Sequence, residues 1–297
     1  IEEIISSYRR KKRVLIIANT IGRAIDLYKI IREKERLKGD TDITLIHSMF
    51  AVKDRKSHEE NVERTKILVA TQVAEVSLDV SFDILFTELA PVPALVQRFG
   101  RVNRYGKKPP IEPNIVLLGV YSSRPYNNAR QLEMTEKLFK DFKEQINERG
   151  ESAYIEMLSG YDEFIDRELR SRRCSKIYYA TIDALMENSK FFYAFRQKED
   201  DAQSWWRGDI NILGVPEVYA NKVKELREKI KSIKDFSSRR KILGEIKKYL
   251  VPTPWRMVRQ YARDLYDGKL GFLVLSRNYF DYDPHLSLRR IRATIFS

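Results

Sequence analysis

Five short apolar runs punctuate the first third of the chain: Val14–Ala18, Ile43–Ile46, Ile67–Ala70, Ile84–Glu88 and Ile115–Val120. Apart from Thr44, Thr87 and Glu88 they are apolar position after position rather than alternating, as expected of strands covered on both faces of a parallel sheet. The segments between them have helical character. Ala24, Leu27, Ile30 and Ile31 recur at helical spacing after Thr20, whose hydroxyl can cap the helix start, and Gly39-Asp40 ends that pattern. A helical stretch carrying Lys53, Asp54 and Arg55 separates the second and third runs, and Ala94–Val102 reads as a helix before the fifth. Strand–helix alternation of this kind predicts an α/β domain with a parallel sheet, ending near residue 122.

Beyond that point the pattern changes. Asn127–Glu148 and Tyr161–Ser189 are long, charged and amphipathic, and Asn221–Leu250 is a Lys/Glu-rich helix or helix pair that Pro252 and Pro254 interrupt. Gly271–Ser276 and Arg290–Ile295 read as strands of a small terminal sheet. Residues 123–297 are therefore expected to form a mainly α-helical domain with a small terminal β element.

Composition adds a sign to this picture. Lys and Arg number 55 against 42 Asp and Glu, a net charge of +13, which favours a polyanionic partner, nucleic acid before membrane. No apolar run nears the roughly 20 residues that span a bilayer, and Cys174 alone cannot form an internal disulfide, so a reducing, cytoplasmic setting is expected. The sequence opens at Ile1 without a Met or a signal peptide and reads as a piece of a longer chain.

The candidate chemistry lies where the apolar runs end. Asn19-Thr20, His47-Ser48 and Thr71-Gln72 follow the first three, and Asp79 stands in the loop before the fourth. Carboxyl ends of parallel strands are where open α/β sheets bind ligands. Gln97, Arg98, Arg101 and Arg104 then fall within eight positions, and on a helix Arg101 and Arg104 would share a face with Gln97 one turn earlier. Two guanidinium forks at one locus suit the developing charge of a transferring phosphoryl group. An isolated R-x-x-R is by itself no more than a basic helix end. Asp79 serves equally as a turn acid, His47 as a packed core residue, and Arg55 as the partner of Asp54 or Glu59.

Order and spacing narrow the choice. Gln97-Arg98-Phe99-Gly100-Arg101-Val102-Asn103-Arg104 resembles motif VI of superfamily 2 helicases, Q-R-x-G-R-x-x-R. Thr71–Val80 looks like their motif V, with Ser77 where many members have Gly. Val14–Thr20 looks like motif IV, and His47-Ser48 with Arg55 like the segment after it. Glu75 and Ser77, the turn Leu89–Pro91 and the ending Val102-Asn103-Arg104 more narrowly resemble the CRISPR-associated helicase of type I interference systems. The resemblance implies that residues 1–122 are the second RecA-like lobe of an ATP-dependent DNA helicase.

In such a lobe Arg101 and Arg104 would face the ATP γ-phosphate, with Gln97 positioning it or the attacking water. Asp79 would hold the ribose hydroxyls. Asn19, Thr20, His47, Ser48, Arg55, Thr71 and Gln72 would contact the backbone of single-stranded DNA. ATP and Mg²⁺ are the implied cofactors. The implied partners are a first RecA-like lobe, an HD-type nuclease domain and a CRISPR surveillance complex. Neither a G-x-x-x-x-G-K-[ST] loop nor a D-E-x-[DH] box occurs here, so the first lobe would hold Mg²⁺ and this chain alone should be inactive. Two other readings stay open: the second lobe of a DNA-repair or RNA helicase, and a catalytically silent binding module of the same fold.

Overall fold

The computed structural model describes all residues except 38–41, 77–79, 105–113, 120–124, 127–128, 150–151, 153–154, 157, 164–210, 269 and 292–297. The chain forms two compact units. One comprises Ile1–Glu88, Gln97–Leu118 and Gly208–Ser297; the other comprises Leu89–Val96 and Gly119–Arg207.

In the first unit the apolar runs become β1 (Val14–Ile17), β2 (Ile43–Ile46), β3 (Ile67–Ala70), β4 (Ile84–Glu88) and β5 (Ile115–Leu118). They form one all-parallel sheet in the order β2-β3-β1-β4-β5. Helices α1 (Glu2–Arg9), α2 (Ile21–Lys34), α3 (Val52–Asn61), the single turn α4 (Val73–Val76) and α5 (Val92–Phe99) occur along the same segment. β1 to β4 are buried at every position, and only the edge strand β5 is not.

Alternation along each strand divides the core in two. Val14, Ile16, Ile67, Val69, Ile84 and Phe86 face one side, where α1 and α2 contribute Ile4, Ala24, Leu27, Tyr28 and Ile31. Leu15, Ile17, Leu68, Ala70 and Leu85 face the other, against Val62, Ala74, Phe82 and Val102. Each fully buried aliphatic side chain of this kind contributes about 1.5–3 kcal/mol of transfer free energy. Thr20 caps α2 as its hydroxyl suggests, accepting from the Arg23 N–H at 3.3 Å.

The C-terminal part of the unit carries more sheet than its sequence pattern predicts. β6 (Asn211–Pro216), β7 (Val251–Pro254), β8 (Tyr266–Asp267) and β9 (Phe272–Leu275) form a mixed sheet in the order β7-β6-β9-β8. β10 (Phe280–Asp283) and β11 (Ser287–Arg290) form a hairpin, so the last strand ends near where Arg290–Ile295 was expected to begin. Pro252 and Pro254, expected to do no more than interrupt a helix, lie inside β7. That position is tolerated because β7 is an edge strand and a proline there need not donate to a neighbour. Gly214 of β6 leaves room for Leu275, since a Cβ there would approach it to 2.8 Å. The expected helix pair is present as α7 (Glu217–Ser232) and α8 (Phe236–Lys247), between β6 and β7.

This sheet and hairpin pack on the β2–α3 connection. Met49 and Ala51 join Val251, Val258, Leu275, Phe280, Tyr282 and Leu288 in one apolar cluster. Asp54, buried at the start of α3, accepts from the hydroxyls of Tyr282 at 2.5 Å and Tyr219 at 2.8 Å and pairs with Lys53 at 2.9 Å. The Ala51 N–H donates to the Tyr282 hydroxyl at 2.9 Å. Burial, reinforced by the Asp54 carboxylate, pushes Tyr219 up to about 12 and Tyr282 higher still, so both stay protonated and donating.

In the second unit the segment Asn127–Glu148 forms α6 (Ala129–Arg149), whose Leu138 meets Val92 and Tyr161 in a small apolar cluster. Most of the stretch Tyr161–Ser189 lies outside the described residues.

Candidate functional site

Polar residues at the carboxyl ends of β1 and β4, with one from α4, converge on one buried guanidinium. Arg98, the largest fully buried side chain among the described residues, has no solvent exposure. Its Nε donates to Glu75 Oε1 at 3.0 Å, and its Nη1 donates to Thr87 Oγ1 at 2.7 Å and to the Glu88 carbonyl at 2.9 Å. Its Nη2 reaches Asn19 Oδ1 at 3.1 Å. Glu88, also buried, accepts the Asn19 N–H at 2.7 Å and pairs with Arg23 at 3.4 Å. Gln72 closes the ring by donating to the Asn19 carbonyl at 2.9 Å. A buried cation persists only when paired and hydrogen-bonded, and here the fork is spread over two strand ends and α4.

The arginine segment is attached to this network through Glu75, whose side chain holds Arg98 while its carbonyl accepts from Arg101 Nη2. The expected helix Ala94–Val102 stops early. α5 ends at Phe99, Gly100 is in a turn, and the Arg101 and Val102 N–H groups bond back to Arg98 and Phe99. Val102 then forms a parallel bridge with Phe82, and Asn103 takes φ 44°, the left-handed conformation that asparagine tolerates. The Arg104 N–H donates to Ser81 Oγ at 3.1 Å. Arg101 and Arg104 therefore do not share a helix face. They extend from a strapped turn, with Arg104, Gln97 and Gly100 exposed and Arg101 half-buried.

The other sequence candidates divide between positions. Asn19 and Thr71 are buried, Gln72 and Thr20 are half-buried, and Ser48 is exposed. Arg55 is paired with Glu59 at 2.8 Å. Asp79 lies outside the described residues. His47 is fully buried and stacked on Phe50 with ring centroids 4.5 Å apart. Its Nδ1 accepts from the Met49 N–H at 3.2 Å, which leaves Nε2 to donate to Ser287 Oγ, also at 3.2 Å. Ser287 belongs to the terminal hairpin, so the imidazole joins that hairpin to the loop presenting Ser48.

Burial, with the nearby charges of His58 and Arg55, lowers His47 to about 3. In the unfolded chain the same imidazole takes a proton near 6.5. Its neutral form therefore favours the fold fully above pH 6.5, and stability is lost as the pH falls from 6.5 toward 3, by up to about 1.4 kcal/mol per pH unit. Urea midpoints at pH 7 and pH 5 check this: the stability gap between wild type and His47→Gln should shrink at pH 5. Equal acid sensitivity of the two proteins would contradict it.

Sequence reasoning placed Arg98 among the arginines but gave it no task, and it did not single out Glu88. The available signal was charge inside an apolar frame. Glu88 ends a fully buried strand and Glu75 sits in an apolar turn, and both need a buried cation nearby. Among the described residues no group of three or more His, Cys, Asp or Glu converges on a point where a metal ion could be held, and no helix is long and apolar enough to cross a membrane.

A five-stranded parallel sheet in this order, with polar strand ends meeting an arginine-bearing turn, has the RecA-like fold. Residues 10–107 match the family model described as CRISPR-associated nuclease/helicase Cas3, C-terminal. A putative CRISPR-associated nuclease/helicase Cas3 of Methanocaldococcus jannaschii is 40% identical over 117 residues, covering 36% of this chain and 15% of that protein. The ADP-bound Cas3 crystal structure from T. fusca superposes with a TM-score of 0.57 at 16% identity, covering 94% of this chain and 39% of that one. A chain of a CRISPR RNA-guided surveillance complex in its pre-nicking state gives a TM-score of 0.57 at 17% identity, covering 93% and 40% respectively. The chain thus spans well under half the length of these relatives.

Proposed function

We propose that this chain is the C-terminal part of an ATP-dependent translocase of CRISPR interference, forming one wall of a cleft whose other wall is a first RecA-like lobe. Arg101 and Arg104 stabilise charge developing on the γ-phosphate, and Gln97 orients the phosphate or the attacking water. Asp79 holds the ribose. Single-stranded DNA runs past the strand ends, contacted by Ser48 and Thr20, while Asn19, Thr71, Gln72 and His47 hold those loops from beneath and Arg55 flanks them through its pair with Glu59. Neutral hydroxyls and amides suit a track that grips backbone without reading sequence. Mg²⁺ falls to the first lobe in this reading. An HD-type nuclease domain and a surveillance complex complete the machine, in keeping with the neighbour found in such a complex.

One observation carries the proposal: Glu75 holds Arg98 with its carboxylate and Arg101 with its carbonyl. A single residue thereby joins the strand ends to the arginine turn, as a motor that couples hydrolysis to DNA grip requires. The test is hydrolysis of ATP by this chain alone, by a first lobe alone, and by the two combined. The expected result is turnover only in combination, stimulated by single-stranded DNA. Turnover by this chain alone, or combined turnover indifferent to nucleic acid, would reject it. Stimulation by RNA but not DNA would favour the RNA-helicase alternative.

A further inference from the structure

The hairpin α7–α8 concentrates charge that its own acids do not neutralise. Between 217 and 248 there are eleven Lys and Arg and five Asp and Glu. All five acids are engaged. Glu225, Glu228 and Glu245 pair with Lys222, Lys231 and Lys248, Asp235 caps α8 through the Ser238 N–H at 2.7 Å, and Glu217 accepts the Arg277 N–H. Lys224, Lys229, Lys234, Arg240, Lys241 and Lys247 are exposed and stand in no ion pair among the described residues.

The hairpin packs inward through Val223, Leu226 and Ile246 against Val215 and Leu270, which fixes what points outward. On α8, Phe236, Arg240, Leu243 and Lys247 follow at intervals of four, three and four residues, one stripe along the helix away from Ile242 and Ile246. Phe236 is 79% exposed and Leu243 46%. A large aromatic left in water beside unpaired cations is the combination that binds single strands: guanidinium and ammonium groups follow the phosphates while a ring receives a base. An acidic protein surface would use the cations but leave Phe236 without a role.

We infer that the outer face of α7–α8 is a second contact for single-stranded nucleic acid, separate from the strand-end track and independent of the arginine assignment. Its test uses this chain as it is, without nucleotide: fluorescence anisotropy with a fluorescein-labelled 20-mer of oligo-dT across a salt series. Arg240→Glu combined with Lys247→Glu should weaken binding at least tenfold. The milder pair Arg240→Gln and Lys247→Gln should flatten the log–log salt slope by about 1.4, since each lost phosphate contact on a single strand contributes about 0.7. Phe236→Ala should weaken binding by about fivefold or more with the salt slope unchanged. These positions are exposed, and an unaltered circular dichroism spectrum verifies that the fold persists. Oligo-dT affinity unchanged in all three variants overturns the inference. So does a loss of poly-glutamate binding alone, which would assign the face to an acidic protein. Because no hydrolysis is measured, these outcomes are distinct from failure of the motor reading.

Discussion

Replacing Arg104 by Ala in the combined two-lobe protein should lower DNA-stimulated ATP hydrolysis about a thousandfold or more while leaving affinity for single-stranded DNA largely intact. The magnitude follows from the stabilisation that an arginine finger gives to a transferring phosphoryl group. The selectivity follows from the structure: the Arg104 side chain is exposed, and its backbone N–H, which the substitution keeps, donates to Ser81. The turn therefore retains that tie in the variant. Arg104→Lys should recover part of the rate, because a point charge remains but the planar fork does not. Arg101→Ala should lose hydrolysis to a similar degree and also loosen the turn, since that side chain is bound to the Glu75 carbonyl. Hydrolysis unchanged in Arg104→Ala would remove Arg104 from the chemistry. Hydrolysis and DNA binding lost together would make its role structural.

The second large effect concerns the fold itself. Arg98→Ala should destabilise the chain by about 3–5 kcal/mol, the usual result of deleting one member of a buried, hydrogen-bonded ion pair. The loss leaves Glu75 without its cation and strips partners from Thr87, Asn19 and the Glu88 carbonyl together. Urea unfolding followed by circular dichroism measures it. Arg98→Lys should rescue little, since one ammonium cannot reach acceptors on two strand ends and α4. A cost below about 1 kcal/mol would mean that the network stabilises little and that its residues are held by packing.

How much of this was legible beforehand varies with the physics involved. Strands such as Val14–Ile17 and Ile67–Ala70 announce themselves, because a strand covered on both faces must be apolar at every position. Strand ends were legible as candidate sites because polar residues gather where such runs stop. The arginine turn was harder. Helical spacing from Gln97 to Arg104 suggested a shared face, but Gly100, the left-handed Asn103 and the bridge from Val102 to Phe82 gave the segment another shape. That bridge depends on a residue some twenty positions earlier, which local periodicity does not register. β6 and β7 escaped for a related reason: the α7–α8 hairpin separates the partners, and the prolines of β7 read as breakers. The link from Tyr282 to Asp54 spans 228 positions, and nothing in either neighbourhood marks it.

Those prolines bear on how the molecule behaves in company. A sheet edge is a template for another strand, and unprotected edges lead to intermolecular pairing and fibres. Along β7 the prolines alternate with Val251 and Thr253, so both ring nitrogens lie on the side away from β6, where an incoming strand would seek donors and find none. At the far side of the same sheet β8 is only two residues long, too short to seed a ladder. Both margins of the C-terminal sheet are therefore closed to further strands, and copies crowded at high concentration gain nothing by zipping together there.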